Sequence, residues 1–149
     1  MTQGLTPDQT DRLILYLVKN LTKGMPHLLV EGGGVLTTML AKLLFLVDVW
    51  SMQVSGIQAT NFRYIRYKHG PYPVAQFENR LETLGYLGLQ RLPRERMEDG
   101  KPYRIYRLAK EPKVPLDLPP PVKLLADEVM TNFANRTLEN VLAHVYSLD

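Results

Sequence analysis

The chain has 149 residues, enough for one compact domain with a sizeable core. Apolar residues make up 45% and charged residues 22%, the balance of a soluble globular protein rather than a disordered one. The absence of cysteine excludes disulfide scaffolds, thiolate metal sites and cysteine nucleophiles, and a net charge of +3 is too small by itself to argue for nucleic acid.

The first helix is signed at its start. Thr6 is placed to cap, Pro7 suits the first helical position, and Gln9 completes a capping box. Leu13, Ile14, Leu17, Val18 and Leu21 then make one apolar stripe, which Gly24 and Pro26 end. The opening residues lack the basic start and clean apolar run of a secretory signal, so a cytoplasmic protein is expected. Glu31-Gly-Gly-Gly34 is a flexible break. It lacks the Gly-Lys-Ser/Thr ending of a nucleotide-binding loop.

A second helix is expected over about 35–51. Leu36, Leu40, Leu43, Val47 and Trp50 share one seam, and Leu44, Phe45, Leu46 and Val49 cover most of the remainder. A helix apolar on nearly all sides is surrounded by other elements. Thr37, Thr38, Lys42 and Asp48 interrupt this run, which reads as too short and too polar to span a bilayer. Lys42 and Asp48 lie six residues apart and cannot pair along the helix. Lys42 is expected to snorkel to water, and Asp48 to cap or to pair with another segment.

Residues 61–68 read as an extended, aromatic and basic segment, and His69-Gly-Pro-Tyr-Pro73 as a rigid turn. Pro73 opens a third helix whose Phe77, Leu81 and Leu84 face inward, with Glu78, Arg80 and Glu82 outside and Gly85 and Gly88 at its end. Residues 89–108 read as a β-hairpin turned at Asp99-Gly100, with Pro93 and Pro102 marking it as an edge ribbon. Five prolines make 111–121 a stiff linker. It leads to a C-terminal helical pair: 122–133, with Val122, Leu125 and Val129 inward, and 137–147, with Leu138, Val141, Leu142 and Val145 inward. The expected architecture is a single domain over 1–149, mainly α with a small antiparallel β-hairpin, of the α+β class.

Chemistry is sparse. His27, His69 and His144 stand at no metal-ligand spacing, and no Gly-x-Ser-x-Gly elbow surrounds any serine. The carboxylates are scattered, so no catalytic residue, metal or cofactor is expected. Basic residues are concentrated instead. Arg63, Arg66 and Lys68 fall in 61–70 with no acid, and 91–113 carry eight basic residues against four acidic ones. Tyr64, Arg66, Tyr67 and Lys68, and then Arg104, Tyr106 and Arg107, are the types that stack bases and neutralise phosphates; ordinary strand composition accounts for the same residues. Helix 73–84, a strand and a ribbon also follow one another in the order of a winged helix, so a DNA-binding transcriptional regulator is one reading.

A family resemblance favours another. Ala41-Lys-Leu-Leu-Phe-Leu-Val-Asp48 resembles the Lys-Leu-Leu-Tyr/Phe helix of the Panacea domain of SocA-like antitoxins. Tyr67-Lys-His-Gly-Pro-Tyr-Pro73 resembles that family's aromatic-Gly-Pro element, and Asn135-Arg-Thr-Leu-Glu-Asn-Val-Leu-Ala-His144 its closing helix. The resemblance runs from about residue 13 to 145. It implies a mostly helical, non-catalytic binding protein that neutralises a cognate toxin, encoded by an adjacent gene, by direct contact. It also implies possible delivery of that toxin to a ClpXP-type protease. The residues it singles out are Lys42, Leu43, Leu44, Phe45 and Asp48 in the helix, and Tyr67, His69, Gly70 and Pro71, with Tyr72 beside them, in the turn.

Overall fold

The computed structural model describes residues 4–30, 33–67, 70–72, 76–92, 95–96, 102–103, 105–108, 115–134 and 136. Helix α1, Pro7–Gly24, starts as its local chemistry dictates. Gln9 N donates to Thr6 Oγ1 at 3.2 Å, and Thr6 N donates to Gln9 Oε1 at 2.9 Å. Its stripe Leu13, Ile14, Leu17, Val18 and Leu21 is buried, together with Leu15. A single 3-10 turn, Pro26–Leu28, follows. Val30 and Gly34 then bridge antiparallel around Gly33, whose φ of 71° lies in the left-handed region. The chain therefore reverses between Val30 and Gly34. Gly34 is also required for space, since a Cβ there would stand 2.2 Å from Ile105 Cγ2.

Val35–Leu36 form strand β1, so the long central helix α2 begins only at Thr37 and runs to Ser55. It is later and longer than its periodicity suggested. At 19 residues and mean hydropathy 1.2 it meets the length and composition of a membrane span, correcting the expectation that it is too short. Most of it is buried in the fold: α1, α4, β1 and β3 all pack against it. Gly56, at φ 75°, ends it.

Strands β2 (Ile65–Tyr67) and β3 (Gly70–Tyr72) pair antiparallel, Ile65 with Tyr72 and Tyr67 with Gly70. Gly70-Pro71-Tyr72, read from sequence as a turn, is thus a strand. Proline is tolerated because a two-stranded ribbon has only edges. Helix α3, Gln76–Thr83, buries Phe77 and Leu81 and passes into a 3-10 turn, Leu84–Leu87, closed by Gly88 at φ 111°.

Strands β4 (Leu89–Arg91) and β7 (Ile105–Leu108) are antiparallel partners, and β5 (Glu95–Arg96) pairs with β6 (Pro102–Tyr103). The register moves by one residue between Arg91↔Tyr106 and Glu95↔Tyr103. The expected Asp99-Gly100 turn lies outside the described residues. The return strand is no edge, because β1 pairs with its other side and the sheet order is β1-β7-β4. Tyr106, one of the candidate base-stacking residues, is 2% exposed, and its neighbour Ile105 on the opposite face is buried as well, so both faces of β7 are covered here.

Helix α4, Pro120–Phe133, starts two residues inside the expected linker, with proline at its first turn. Val122, Ala126, Val129, Met130 and Phe133 are buried, and Leu125 only partly. Tyr16 of α1 donates to Asp127 of α4, which also holds Lys123 Nζ at 2.9 Å. The expected helix 137–147 lies outside the described residues. The fold is mainly helical with a small three-stranded antiparallel sheet, and one contiguous apolar cluster joins α1, α2, α3, α4 and the sheet.

Candidate functional site

The two sequence motifs of α2 and of the 67–72 segment meet in space, because β3 packs against α2. On α2, Asp48 is 3% exposed and anchors the segment that leads to this ribbon. After Gly56 the chain doubles back along the helix and wraps donors around that carboxylate. Thr60 N donates to Oδ1 at 2.7 Å. Thr60 Oγ1 donates to Oδ2 at 2.5 Å and Tyr64 Oη at 2.7 Å, with Gln58 Nε2 farther off at 3.4 Å. Gln58 Nε2 makes its closer bond to the Phe62 carbonyl, at 2.7 Å. One turn on from Asp48, Ser51 Oγ donates to the Ile57 carbonyl at 2.5 Å.

Burial pushes the Asp48 carboxyl above its ordinary value, and the bonds from Thr60 and Tyr64 partly offset that rise. Burial, then the neighbouring carboxylate, push the Tyr64 phenol well above its ordinary 10. A carboxylate whose oxygens are already filled by donors is a poor general base, and a phenol held against it is a poor nucleophile. The cluster is an anchor. It fixes the 57–64 segment from which the β2–β3 ribbon springs. Aromatic edge contacts extend the anchoring, Phe45 on Tyr64 at 5.2 Å and Phe62 on Phe77 of α3 at 5.9 Å. Asp48 therefore pairs with another segment, as expected. Lys42 does not snorkel: at 1% exposure it is enclosed in the core.

The other sequence candidates are dispersed. Arg63 is exposed in the loop before β2; Arg66 pairs with Pro71 across the ribbon. Lys68, His69 and Arg104 lie outside the described residues. Arg107, on the central strand, donates its Nε to Gln90 Oε1 at 3.1 Å. Tyr64 and Tyr106 are not stacking platforms. The first has its hydroxyl on Asp48, and the second is buried with its hydroxyl on Glu82 Oε1 at 3.0 Å. Glu82 also takes Arg91 Nη1 at 3.1 Å. Arg80 Nε lies 2.7 Å from Asp11 Oδ1 but off the N–H direction, an ion pair rather than a hydrogen bond. Among the described residues no cluster of histidine and acidic side chains suits a metal.

One surface feature escaped the sequence reading. The end of α2 and the start of α4 enclose an open groove of about 360 Å³, walled by Val54, Pro120, Pro121, Leu124 and Leu125, with Glu128 at its border. Val54 lay beyond the expected helix end. Leu124 was unremarkable beside Leu125, which periodicity placed inward; Leu124 is exposed and Leu125 half-buried, and both stand on the groove wall.

A protein-family model, described as antitoxin SocA-like, Panacea domain, matches residues 40–147. The match takes in α2, the β2–β3 ribbon, α3, the hairpin and α4, and starts after α1. No curated protein and no solved structure matches the chain significantly. With its helix and ribbon motifs packed against each other and the family model covering well over half its length, the chain belongs to the SocA-like antitoxin family built on the Panacea domain.

Proposed function

We propose that this protein neutralises a cognate toxin by direct protein–protein contact, without catalysis of its own, in the cytoplasm. Membership of an antitoxin family is the observation that carries this reading. The use of its carboxylates supports it. Asp48, Asp11, Glu82 and Asp127 each tie one element to another, which is what a rigid binding scaffold asks of its acids. Rigidity lowers the ordering cost of association. Handing the bound toxin to a ClpXP-type protease is a further step such a scaffold could serve. It predicts that toxin half-life falls when this chain is present and recovers when the protease is deleted.

The test of the main reading is co-expression with the protein of the adjacent reading frame. The expected result is growth arrest by the neighbour alone, rescue by this chain, and co-purification of the two. A harmless neighbour, or arrest without rescue, refutes it.

DNA binding is a second reading, favoured by topology. The order α1, β1, α2, α3, β4, β7, with the sheet order β1-β7-β4, is that of a winged helix. Local charge opposes it. Helix α3 carries Glu78 and Glu82 against Arg80, and both Arg80 and Arg91 are held by acids. A helix-turn-helix also joins its helices by a turn of about 3–4 residues, whereas residues 56–75 separate α2 from α3 here. A DNA-binding regulator would show affinity falling steeply with salt and weakened by Arg104→Ala and Arg107→Ala. We expect neither.

A further inference from the structure

The groove between α2 and α4 has the attributes of a docking site. The large apolar side chains exposed among the described residues are Met52, Val54 (78%) and Leu124 (64%). Val54 and Leu124 both wall the groove. Exposed apolar side chains lining one hollow, with polar groups beside it, suit a contact with another macromolecule. The walls are stiff. Pro120 and Pro121 have fixed rings in the first turn of α4, and the floor beside them is held by Ser51, whose hydroxyl is bonded to Ile57. At about 360 Å³ the space is near the lower bound of ligand pockets, roughly 300–1,000 Å³. It accepts one or two apolar side chains.

Charge restricts the occupant. Asp127 is already occupied by Tyr16 and Lys123. Glu128 is exposed at the border, and its carboxylate makes no ion pair among the described residues. An apolar hollow beside one open carboxylate complements an apolar anchor next to a cation, the pattern by which an amphipathic segment seats in a groove between helices. We propose that this groove is where the toxin docks, receiving an apolar side chain from a segment that also carries a lysine or arginine facing Glu128. The identity of the occupant as the toxin rests on the antitoxin reading above.

Two measurements separate the groove from that reading. In the first, the purified full-length chain is panned with displayed random 12-residue peptides, and Leu124→Glu serves as the counter-target. The expected enrichment is for leucine or phenylalanine with a nearby lysine or arginine. Leu124→Glu should weaken the selected peptides about 30-fold, the scale of a buried apolar anchor, and Glu128→Lys should invert the charge preference. Both positions are exposed, so unchanged circular dichroism and melting are expected and are checked first. No enrichment over Leu124→Glu, or enrichment indifferent to Glu128→Lys, overturns the groove as a docking site whatever the toxin does. In the second, the same variants enter the growth-rescue assay, where loss of both rescue and co-purification is expected. Peptide binding with undiminished rescue overturns the toxin as occupant while leaving the antitoxin reading intact. Failure of the wild-type chain to rescue refutes the antitoxin reading, and the toxin as occupant with it.

Discussion

Replacing Asp48 by alanine and by asparagine separates the two energies that meet at that residue. Alanine removes the acceptor for Thr60 N, Thr60 Oγ1 and Tyr64 Oη, all within 2.7 Å of the carboxylate. Each buried donor left without a partner costs about 1–3 kcal/mol, so three cost roughly 3–9 kcal/mol, from which relief of a buried charge is subtracted. A net loss of about 3 kcal/mol is expected, near 10 °C in melting temperature for a chain of this size. Asparagine keeps the shape and one acceptor oxygen, and the Thr60 and Tyr64 hydroxyls can turn to accept from its amide, so at neutral pH it should cost about 1 kcal/mol or less. The pH dependence has a defined sign. Burial raises the folded-state pKa of Asp48 above its ordinary 3.8, so the fold holds this proton more tightly than the unfolded chain does. The stabilisation that follows is complete below the unfolded value and is lost as pH rises through the folded one. Urea unfolding at several pH values from 3.5 to 7.5 is the assay. The difference between wild type and Asp48→Asn cancels the similar contribution of Asp11, whose carboxyl burial also raises. Wild type should lose stability relative to Asp48→Asn as pH climbs. A difference that is flat, or that runs the other way, refutes the account, and so does alanine being no worse than asparagine.

Gly34→Ala should destabilise by about 1–3 kcal/mol, because its Cβ would stand 2.2 Å from Ile105 Cγ2 and 2.9 Å from Leu92 Cδ1. Gly24→Ala meets nothing within 4 Å at the end of α1, so it should be neutral or stabilising in the same thermal melt. Thr6→Ala removes a bond to Gln9 N and should cost about 1 kcal/mol in chemical denaturation. Phe77→Ala opens a cavity where α3 meets Phe62, and a loss of about 3–5 kcal/mol in urea unfolding is expected.

These energetics place the family signature in perspective. Asp48, one of the residues the resemblance singles out, is 3% exposed and gives its carboxylate to Thr60 and Tyr64. Its work is to hold the 57–64 segment to α2 and so to set where the β2–β3 ribbon stands. A protein that must present a fixed surface to a partner needs that positioning as much as it needs contact residues. Asp48 thus belongs to the frame, and the groove walled by Val54 and Leu124 lies apart from it.

Local rules sufficed wherever both partners of an interaction lie within a turn or two of chain. Thr6, Pro7 and Gln9 specify the start of α1 because capping is complete within four residues. The stripes of α1 and α3 were legible because a 3.6-residue period needs only a buried side, whatever covers it. The resemblance of three short motifs likewise announced the family. What stayed hidden depends on residues far apart in sequence. Asp48 finds Thr60 and Tyr64 only after the chain reverses at Gly56. Tyr106 is enclosed because both faces of its strand are covered, with α1, far earlier in the chain, packed against β7 and the Tyr106 hydroxyl on Glu82. Gly70-Pro71-Tyr72 has the composition of a turn and becomes a strand through pairing with Ile65–Tyr67. Leu124 and Leu125 differ in exposure as the helical period suggests, but that both line an open groove follows only from the way α4 lies on α2. Periodicity constrains the burial of a residue, but its partner is chosen by tertiary packing.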